Sequence, residues 1–570
     1  MIFIKKVTNI IIFLLCLLLL LGLTTSCDMT STSSNDSYKQ LDKSEYDSTL
    51  SAYLSKMSGD VIDVELVKGT LNETYIEEKD SLPELDDSTI MLKGDGQIDI
   101  EIFASTEKAE STNQNNNWMI EVAKKFNEQQ IMVDGKVVSI TIRKIVSGDA
   151  MSYIYTQKYI PDAYCPSNKM WGDMLESKGV NITLVEPRLA GNTSGFLMKN
   201  SAYDKLKAEY GDLDMSVISQ AVVDDVINIA YTNPYTSSTG LSFLVSLLYE
   251  YDSQNPISTL ASEKFSEFQS HVALTAYDTN QMVLSTKNGK LDTILMSYQN
   301  YISNQVQYKD YTYIPVGTRQ DNPLYLIGND TEKLDGLKAF AEFCKSDESQ
   351  KTASEKGFNA LDDYVEPNIN ISGSDIFVAQ SIWKERKNEV NPVVAVFVAD
   401  ISGSMDGEPI QKLKSSLLNS SQYINENNYI GLVSYNKNVY INLPIEKWTL
   451  DQMLYFNGAV SGLYATGGTA TYNAVLQAID MLEKYDIPNA KPIIFVLSDG
   501  EVTDGYSLNK ISDLVFSSGI PIHTISFNMA SGGAGEKELQ SLANINEASF
   551  TSSTSETIIN KLTSLLNAEM

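Results

Sequence analysis

Histidine is almost missing: there are two, His271 and His523, in 570 residues. Neither sits in a motif context, so a Ser-His-Asp nucleophile system has nothing to be built from. Cysteine is nearly as scarce, with four in the chain and no pair at metal-ligand spacing. A zinc site made of His or Cys is therefore excluded. Basic residues are outnumbered, 43 against 73 acidic, for a formal net charge of -30. Such a surface repels a phosphate backbone, which argues against nucleic acid as a partner. No Gly-x-x-x-x-Gly-Lys loop occurs, and in so acidic a chain paired carboxylates identify nothing.

Long apolar runs are also rare. The exception is Ile10 to Leu23, behind the basic pair Lys5 and Lys6. It is short for a bilayer span and has the layout of a secretory signal. The order Leu23-Thr24-Thr25-Ser26-Cys27 resembles a bacterial lipoprotein signal cleaved before Cys27. The resemblance implies lipidation of Cys27, whose two diacylglyceryl chains suffice for stable anchoring. An uncleaved apolar anchor is the alternative. Both place the remainder outside the cytoplasm, held to the membrane. Once the signal is removed, Cys165 and Cys344 remain, to form one disulfide or none.

What is present is a pattern of oxygen donors after buried strands. Val393 to Ala399 is a continuous apolar run, as in a strand covered on both faces, and Asp400-Ile401-Ser402-Gly403-Ser404 follows it. An Asp and two Ser at alternate positions offer hard, mostly neutral oxygens, the set that a Mg²⁺-like ion takes. Gly403 and Gly407 allow the loop to turn. A second strand pattern, Pro492 to Ser498, ends in Asp499-Gly500, and Thr466-Gly467-Gly468-Thr469 opens a helical pattern from Asn473 to Lys484. In an open parallel sheet ligands bind beyond the carboxyl ends of the strands, where Asp400 and Asp499 fall. Capping and turn formation alone would also use such residues.

With these motifs, residues 390–570 resemble a von Willebrand factor type A domain. The resemblance implies a doubly wound α/β fold and a metal-ion-dependent adhesion site. Its direct ligands would be Ser402 and Ser404, with Thr469 direct or through water and Asp400 and Asp499 acting through water. The ion is expected to be divalent, Mg²⁺ first among Mg²⁺, Mn²⁺ and Ca²⁺, with one position left for an Asp or Glu carboxylate of a protein partner. Domains of that family are binding modules, and the resemblance does not imply turnover. Near the motif only Glu408 and Glu501 could serve as a base for hydrolysis, so no enzymatic role is expected.

Residues 27–96 read as a flexible acidic tether, Ser-, Thr- and Asp-rich at first, with a stalk or extra strands for the next domain further on. Residues 97–375 have a length suited to two lobes. Ile98 to Ala104 alternates as a strand and ends at Ser105-Thr106; Ala163 to Cys165 ends at Pro166-Ser167. Thr236, Ser237, Ser238 and Thr239 precede an apolar helix, Leu241 to Tyr251, whose free N–H groups and dipole suit an anion or polar molecule; plain capping is the alternative. Order and spacing of these loops resemble bacterial extracellular solute-binding proteins, two-lobed and closing on small ligands. That resemblance implies lining residues Ser105, Thr106, Ser167, Thr236, Ser237, Ser238 and Tyr298. Clustered tyrosines (Tyr153, Tyr155, Tyr159, Tyr164; Tyr308, Tyr311, Tyr313) would pack in cores or line a cleft.

The expected protein is an α/β, membrane-anchored extracellular binding protein: residues 1–26 a signal peptide, then tether, periplasmic-binding-protein-like domain and adhesion domain. The alternative is the substrate-binding component of a transport system whose C-terminal domain docks partner proteins.

Overall fold

All eight residues of the strand Val393–Asp400 are buried, which is why its sequence is an unbroken apolar run. It pairs in parallel with Tyr429–Tyr435 on one side and Lys491–Ser498 on the other. Its alternate residues Val393, Ala395, Phe397 and Ala399 join a core with Leu413 and Leu417 of the helix Glu408–Ser420, Phe456 of Leu450–Ser461 and Leu562 of Ile558–Glu569. The helix Thr471–Lys484 also packs against this strand. The sheet continues through Ile522–Phe527 and Phe550–Ser553, both parallel, and through Val439–Lys447, the antiparallel member. Parallel order brings Asp400, Tyr435 and Ser498 to one edge of the sheet, each at the carboxyl end of its strand.

The structure, a computed structural model, describes residues 38–70, 89–111, 113–276, 291–546, 548–554 and 557–570, with isolated positions between them. Residues 1–40 and 41–570 form separate units, and the three described residues of the first carry no helix or strand. The signal-like run and Cys27 lie outside the described residues. Among the described residues no helix is long and apolar enough to cross a membrane.

The expected flexible tether is not what residues 43–63 form. Lys43–Met57 is a helix, capped by the Asp42 carboxylate accepting from Glu45 N at 2.9 Å. Its Tyr46, Leu50 and Met57 are buried. Tyr46 Oη donates to Glu483 Oε1 at 3.1 Å and Tyr53 Oη to the Lys510 carbonyl at 2.8 Å, so the helix docks on the C-terminal module. Val61–Asp63 then adds a seventh strand to that module's sheet, parallel to Val439–Ile441. Beyond it Gly69 N donates to Leu454 O at 2.8 Å, and a Cβ on Gly458 would stand 1.8 Å from Val67 O. The physical reason is that a few apolar residues at helical spacing suffice when a preformed surface receives them. The extra strand belongs to the C-terminal module, so the two-lobed region is inserted between that module's first strand and its central one.

The two-lobed region has a sheet in each lobe. The first runs Ile90–Leu92, Lys136–Lys144, Ile98–Ala104, Ala163–Cys165, Leu324–Ile327, Ile182–Glu186, with Met132–Val133 paired to Lys136–Lys144. The second runs Val272–Ala276, Ile229–Thr232, Thr293–Ser297, Thr193–Lys199, Tyr311–Arg319. The chain crosses between lobes after Glu186 and again after Arg319. A third connection is the helix Gly373–Arg386, packed on Met170–Ser177 of one lobe and on Ser238–Tyr251 and Thr259–Ser270 of the other. Its Trp383 is fully buried and donates from Nε1 to Tyr231 Oη at 2.6 Å. This helix leads directly into Val393–Asp400. Lys384 Nζ to Tyr423 O at 2.7 Å and Lys491 Nζ to Val272 O at 2.9 Å tie the modules together.

Candidate metal centre and solute cleft

Asp400 closes the central strand and is fully buried. Its Oδ1 accepts from Ser402 N at 2.8 Å, the local turn that an Asp favours. Its Oδ2 accepts from Ser498 Oγ at 2.7 Å and Tyr435 Oη at 3.3 Å, both on flanking strands. Ser402 Oγ is 3.0 Å from Ser404 Oγ, and Ser404 Oγ donates to Asp499 Oδ1 at 2.7 Å. The Thr469 loop is clamped to this edge by Gly403 N to Gly467 O, 2.9 Å, and by Thr469 N to Thr503 Oγ1, 2.9 Å. Gly407 takes φ 85°, the left-handed turn that frees the following helix to start. Ser404 Oγ and Thr469 Oγ1 lie 3.3 and 3.8 Å from where a Cβ on Gly500 would stand. All five sequence-derived residues thus gather at one edge. Ser404 is exposed, Asp499 half-buried, and Asp400, Ser402 and Thr469 are buried.

Burial pushes Asp499 up to about 6 against the hydrogen bond from Ser404, and the Asp400 carboxylate adds to the rise. Burial raises Asp400 as well, opposed by the hydrogen bonds from Ser498 and Ser402. Neither carboxylate has an ion-pair partner among the described residues. The converging carboxyls and hydroxyls, buried at Asp400, Ser402 and Thr469 and open to solvent at Ser404, lack positive charge, and a hard dication fits that donor set. No cluster of three or more His, Cys, Asp and Glu able to hold a metal exists among the described residues, so this hydroxyl-rich set is of a different kind.

The second site lies between the lobes. Ser105, Thr106 and Ser167 from one lobe and Thr236, Ser237 and Ser238 from the other line a single cleft. Tyr298 does not line it. Ser297 caps the helix Tyr298–Ser303 by accepting from Asn300 N, at 3.4 Å, and Ser297 and Asn300 line the cleft. The Tyr298 ring instead packs edge-on against Tyr313 and Tyr301, at 5.0 and 5.8 Å. Sequence reasoning placed Thr239 in the hydroxyl loop without naming it as lining, and passed over Glu107, Ser147, Ser297, Asn300 and Gln320. Ser147 and Ser297 had a usable signal, each a Ser opening a helix after a strand. Glu107 had none, because one acid among 73 Asp and Glu does not stand out.

The lobes are drawn together over this cleft. Gly148 N donates to Thr236 O at 2.9 Å, Asn168 Nδ2 to Ser238 O at 3.0 Å, and Trp171 Nε1 to Ser238 Oγ at 2.8 Å. The free volume left is about 20 Å³. Of the tyrosines, Tyr153, Tyr164 and Tyr308 are core residues. Cys165 and Cys344 are buried free thiols, and burial pushes Cys165 up to about 11. His523 is buried, with Nδ1 accepting from Ser549 N at 3.2 Å.

Residues 395–565 match the von Willebrand factor type A domain, and residues 111–359 match the bacterial extracellular solute-binding protein family. A von Willebrand factor A domain-containing protein of Dictyostelium discoideum is 32% identical over 114 residues, which is 19% of this chain and 12% of that relative. The chain thus spans only a small part of its curated relative. Among solved structures, the sulfate-binding protein SubI from Mycobacterium tuberculosis H37Rv aligns at 15% identity over 47% of this chain and 88% of its own, with a TM-score of 0.34. The von Willebrand factor domain of the type V pili tip protein Mfa5 from Porphyromonas gingivalis aligns at 14% identity over 31% and 94%, with a TM-score of 0.27. The molecule is α/β, a periplasmic-binding-protein-like region followed by a type A domain with a mostly parallel sheet.

Proposed function

We propose that this fusion of a bacterial extracellular solute-binding domain with a von Willebrand factor type A domain grips a protein partner through a divalent ion. The ion is held directly by Ser402 and Ser404, with Thr469 joining directly or through water and Asp400 and Asp499 orienting waters. Mg²⁺ suits two hydroxyls with retained water, since it dehydrates reluctantly. An Asp or Glu carboxylate of the partner fills the open position. The observation that carries this reading is the connected chain Asp400–Ser402–Ser404–Asp499, in which Ser404 is the exposed member.

The protein acts outside the cytoplasm, anchored through Cys27, and needs no catalytic step. The interlobe cleft adds a small-solute site, supported by six hydroxyl-bearing residues from both lobes meeting there. The test is binding of the purified full chain to surface proteins of neighbouring cells, followed by partner identification. Binding lost on chelation, restored by Mg²⁺ and absent in Asp400→Ala with its circular dichroism unchanged supports the reading. Partner binding unaffected by chelator refutes it.

A further inference from the structure

Glu107 is the one charged residue among the described residues lining the interlobe cleft. It is 9% exposed. Its Oε1 accepts from Ser105 Oγ at 2.7 Å, from Ser167 Oγ and from Lys108 Nζ at 3.2 Å. Lys108 is fully buried and does not line the cleft. Its ammonium also donates to Ser105 Oγ and to Asn322 Oδ1, the latter at 2.9 Å. The ion pair is therefore polarised, with the carboxylate at the cleft wall and the ammonium behind it. Lys108, Ser105 and Ser167 together hold Glu107 below the usual carboxylate range despite its burial.

The hydroxyl protons extend the same polarity. Ser105 and Ser167 direct theirs at Glu107, so on this wall they offer lone pairs to a solute. Across the cleft, Ser238 Oγ accepts from Trp171 Nε1 and Thr239 Oγ1 accepts from Gln320 Nε2 at 3.1 Å, which leaves their own protons to donate. These two residues begin the helix Ser238–Tyr251, whose N-terminus carries partial positive charge. One wall accepts and is negative; the other donates and is positive. A free oxyanion meets a fixed carboxylate and acceptor oxygens on the first wall, which disfavours it.

Resting on the reading that this cleft binds a solute, we infer that it selects small ligands with a protonated amine at one end and an acceptor oxygen at the other. The ammonium faces Glu107, Ser105 and Ser167, and the hydroxyl or carboxylate oxygen faces Ser238 and Thr239. Amino alcohols and small amino acids share this chemistry. The free room, about 20 Å³, accommodates about one water, so entry of even such a ligand requires the lobes to part.

The test is calorimetric titration of the full chain, with thermal shift alongside, against ethanolamine, glycine, serine, sulfate, phosphate and molybdate. Expected is binding of ethanolamine or one of the amino acids, with none of the three oxyanions, and a loss of roughly tenfold or more in Glu107→Gln. The amino acids against ethanolamine show which acceptor is preferred. An oxyanion bound by the wild-type chain, with no amine bound, overturns the inference and leaves a solute-binding cleft of another specificity. No binding in either class removes the solute-binding reading itself and the inference with it. Should Glu107→Gln fail to fold, the wild-type titrations still decide between these outcomes.

Discussion

Ser404 Oγ donates to Asp499 Oδ1 at 2.7 Å, across 95 residues of sequence. This one hydrogen bond joins the loops after two adjacent parallel strands. It sets a hydroxyl and a carboxylate at the spacing a dication would bridge. Behind it, Ser498 and Tyr435 fix the buried Asp400. In the proposed ion site Ser402 and Ser404 offer hydroxyl oxygens directly, while Asp400 and Asp499 orient waters.

That division predicts graded effects. Ser402→Ala and Ser404→Ala each remove a proposed direct ligand and should abolish measurable Mg²⁺ or Mn²⁺ binding. Ser498→Ala leaves every ligand in place and removes only a hydrogen bond to Asp400, and should weaken affinity by roughly 10- to 100-fold. Titration calorimetry with Mn²⁺ on the full chain distinguishes the two classes.

The docked N-terminal helix and strand give a second prediction. Leu50 is buried where Lys43–Met57 meets the C-terminal module. Leu50→Ala should cost about 2–3 kcal/mol. Gly458→Ala, whose methyl would collide with Val67 O, should loosen the same segment. Both should speed proteolytic cleavage within residues 41–70 without altering Mn²⁺ affinity, measured by limited proteolysis with mass mapping.

Trp383 lies at the junction of both lobes and the helix that leads into the central strand. Trp383→Ala should destabilise by about 3–5 kcal/mol in denaturant unfolding. The same variant should raise the radius of gyration measured by small-angle scattering, because the lobes lose their third connection.

His523 sets an acid limb. Burial pushes its imidazole down to about 3 from an ordinary value of 6.5. Glu569, 3.8 Å away, is pushed up to about 7 by burial and so offers no charge in acid. A folded value below the unfolded one means the contribution is fully present above pH 6.5 and is lost as pH falls toward 3. The slope is about 1.4 kcal/mol per pH unit. Glu569's raised value gives the opposite slope between about pH 7 and pH 4.5, so the His523 contribution reads as a difference: the stability advantage of the wild type over His523→Gln should shrink as pH falls from 6 to 4, followed by denaturant midpoints.

Much of this was legible in the chain. The five residues that gather at the sheet edge were: Asp400, Ser402, Ser404 and Asp499 follow closely where an apolar run stops, since a strand buried on both faces announces its own end, and Thr469 follows a Gly-Gly loop that opens a helix. Six cleft hydroxyls were legible for a related reason, as polar residues at strand ends and a helix start. Tyr298 was misplaced because the first turn of its helix directs Ser297 and Asn300 to the cleft and the intervening ring elsewhere. The helix Lys43–Met57 was read as tether because its buried residues are few and its docking surface lies over 400 residues away, as in the 437-residue separation of Tyr46 from Glu483. Glu107 was invisible because its meaning depends on Lys108 standing behind it and Ser167 reaching across from another loop.

The most direct measurement is Mn²⁺ titration of the full chain, wild type against Asp400→Ala, followed by electron paramagnetic resonance and by thermal unfolding. A single site in the wild type, displaced by Mg²⁺, with a Tm that falls on chelation, and no such site in a folded Asp400→Ala chain, is the predicted result. Equal Mn²⁺ binding by the two proteins, or none by the wild type, would contradict the account.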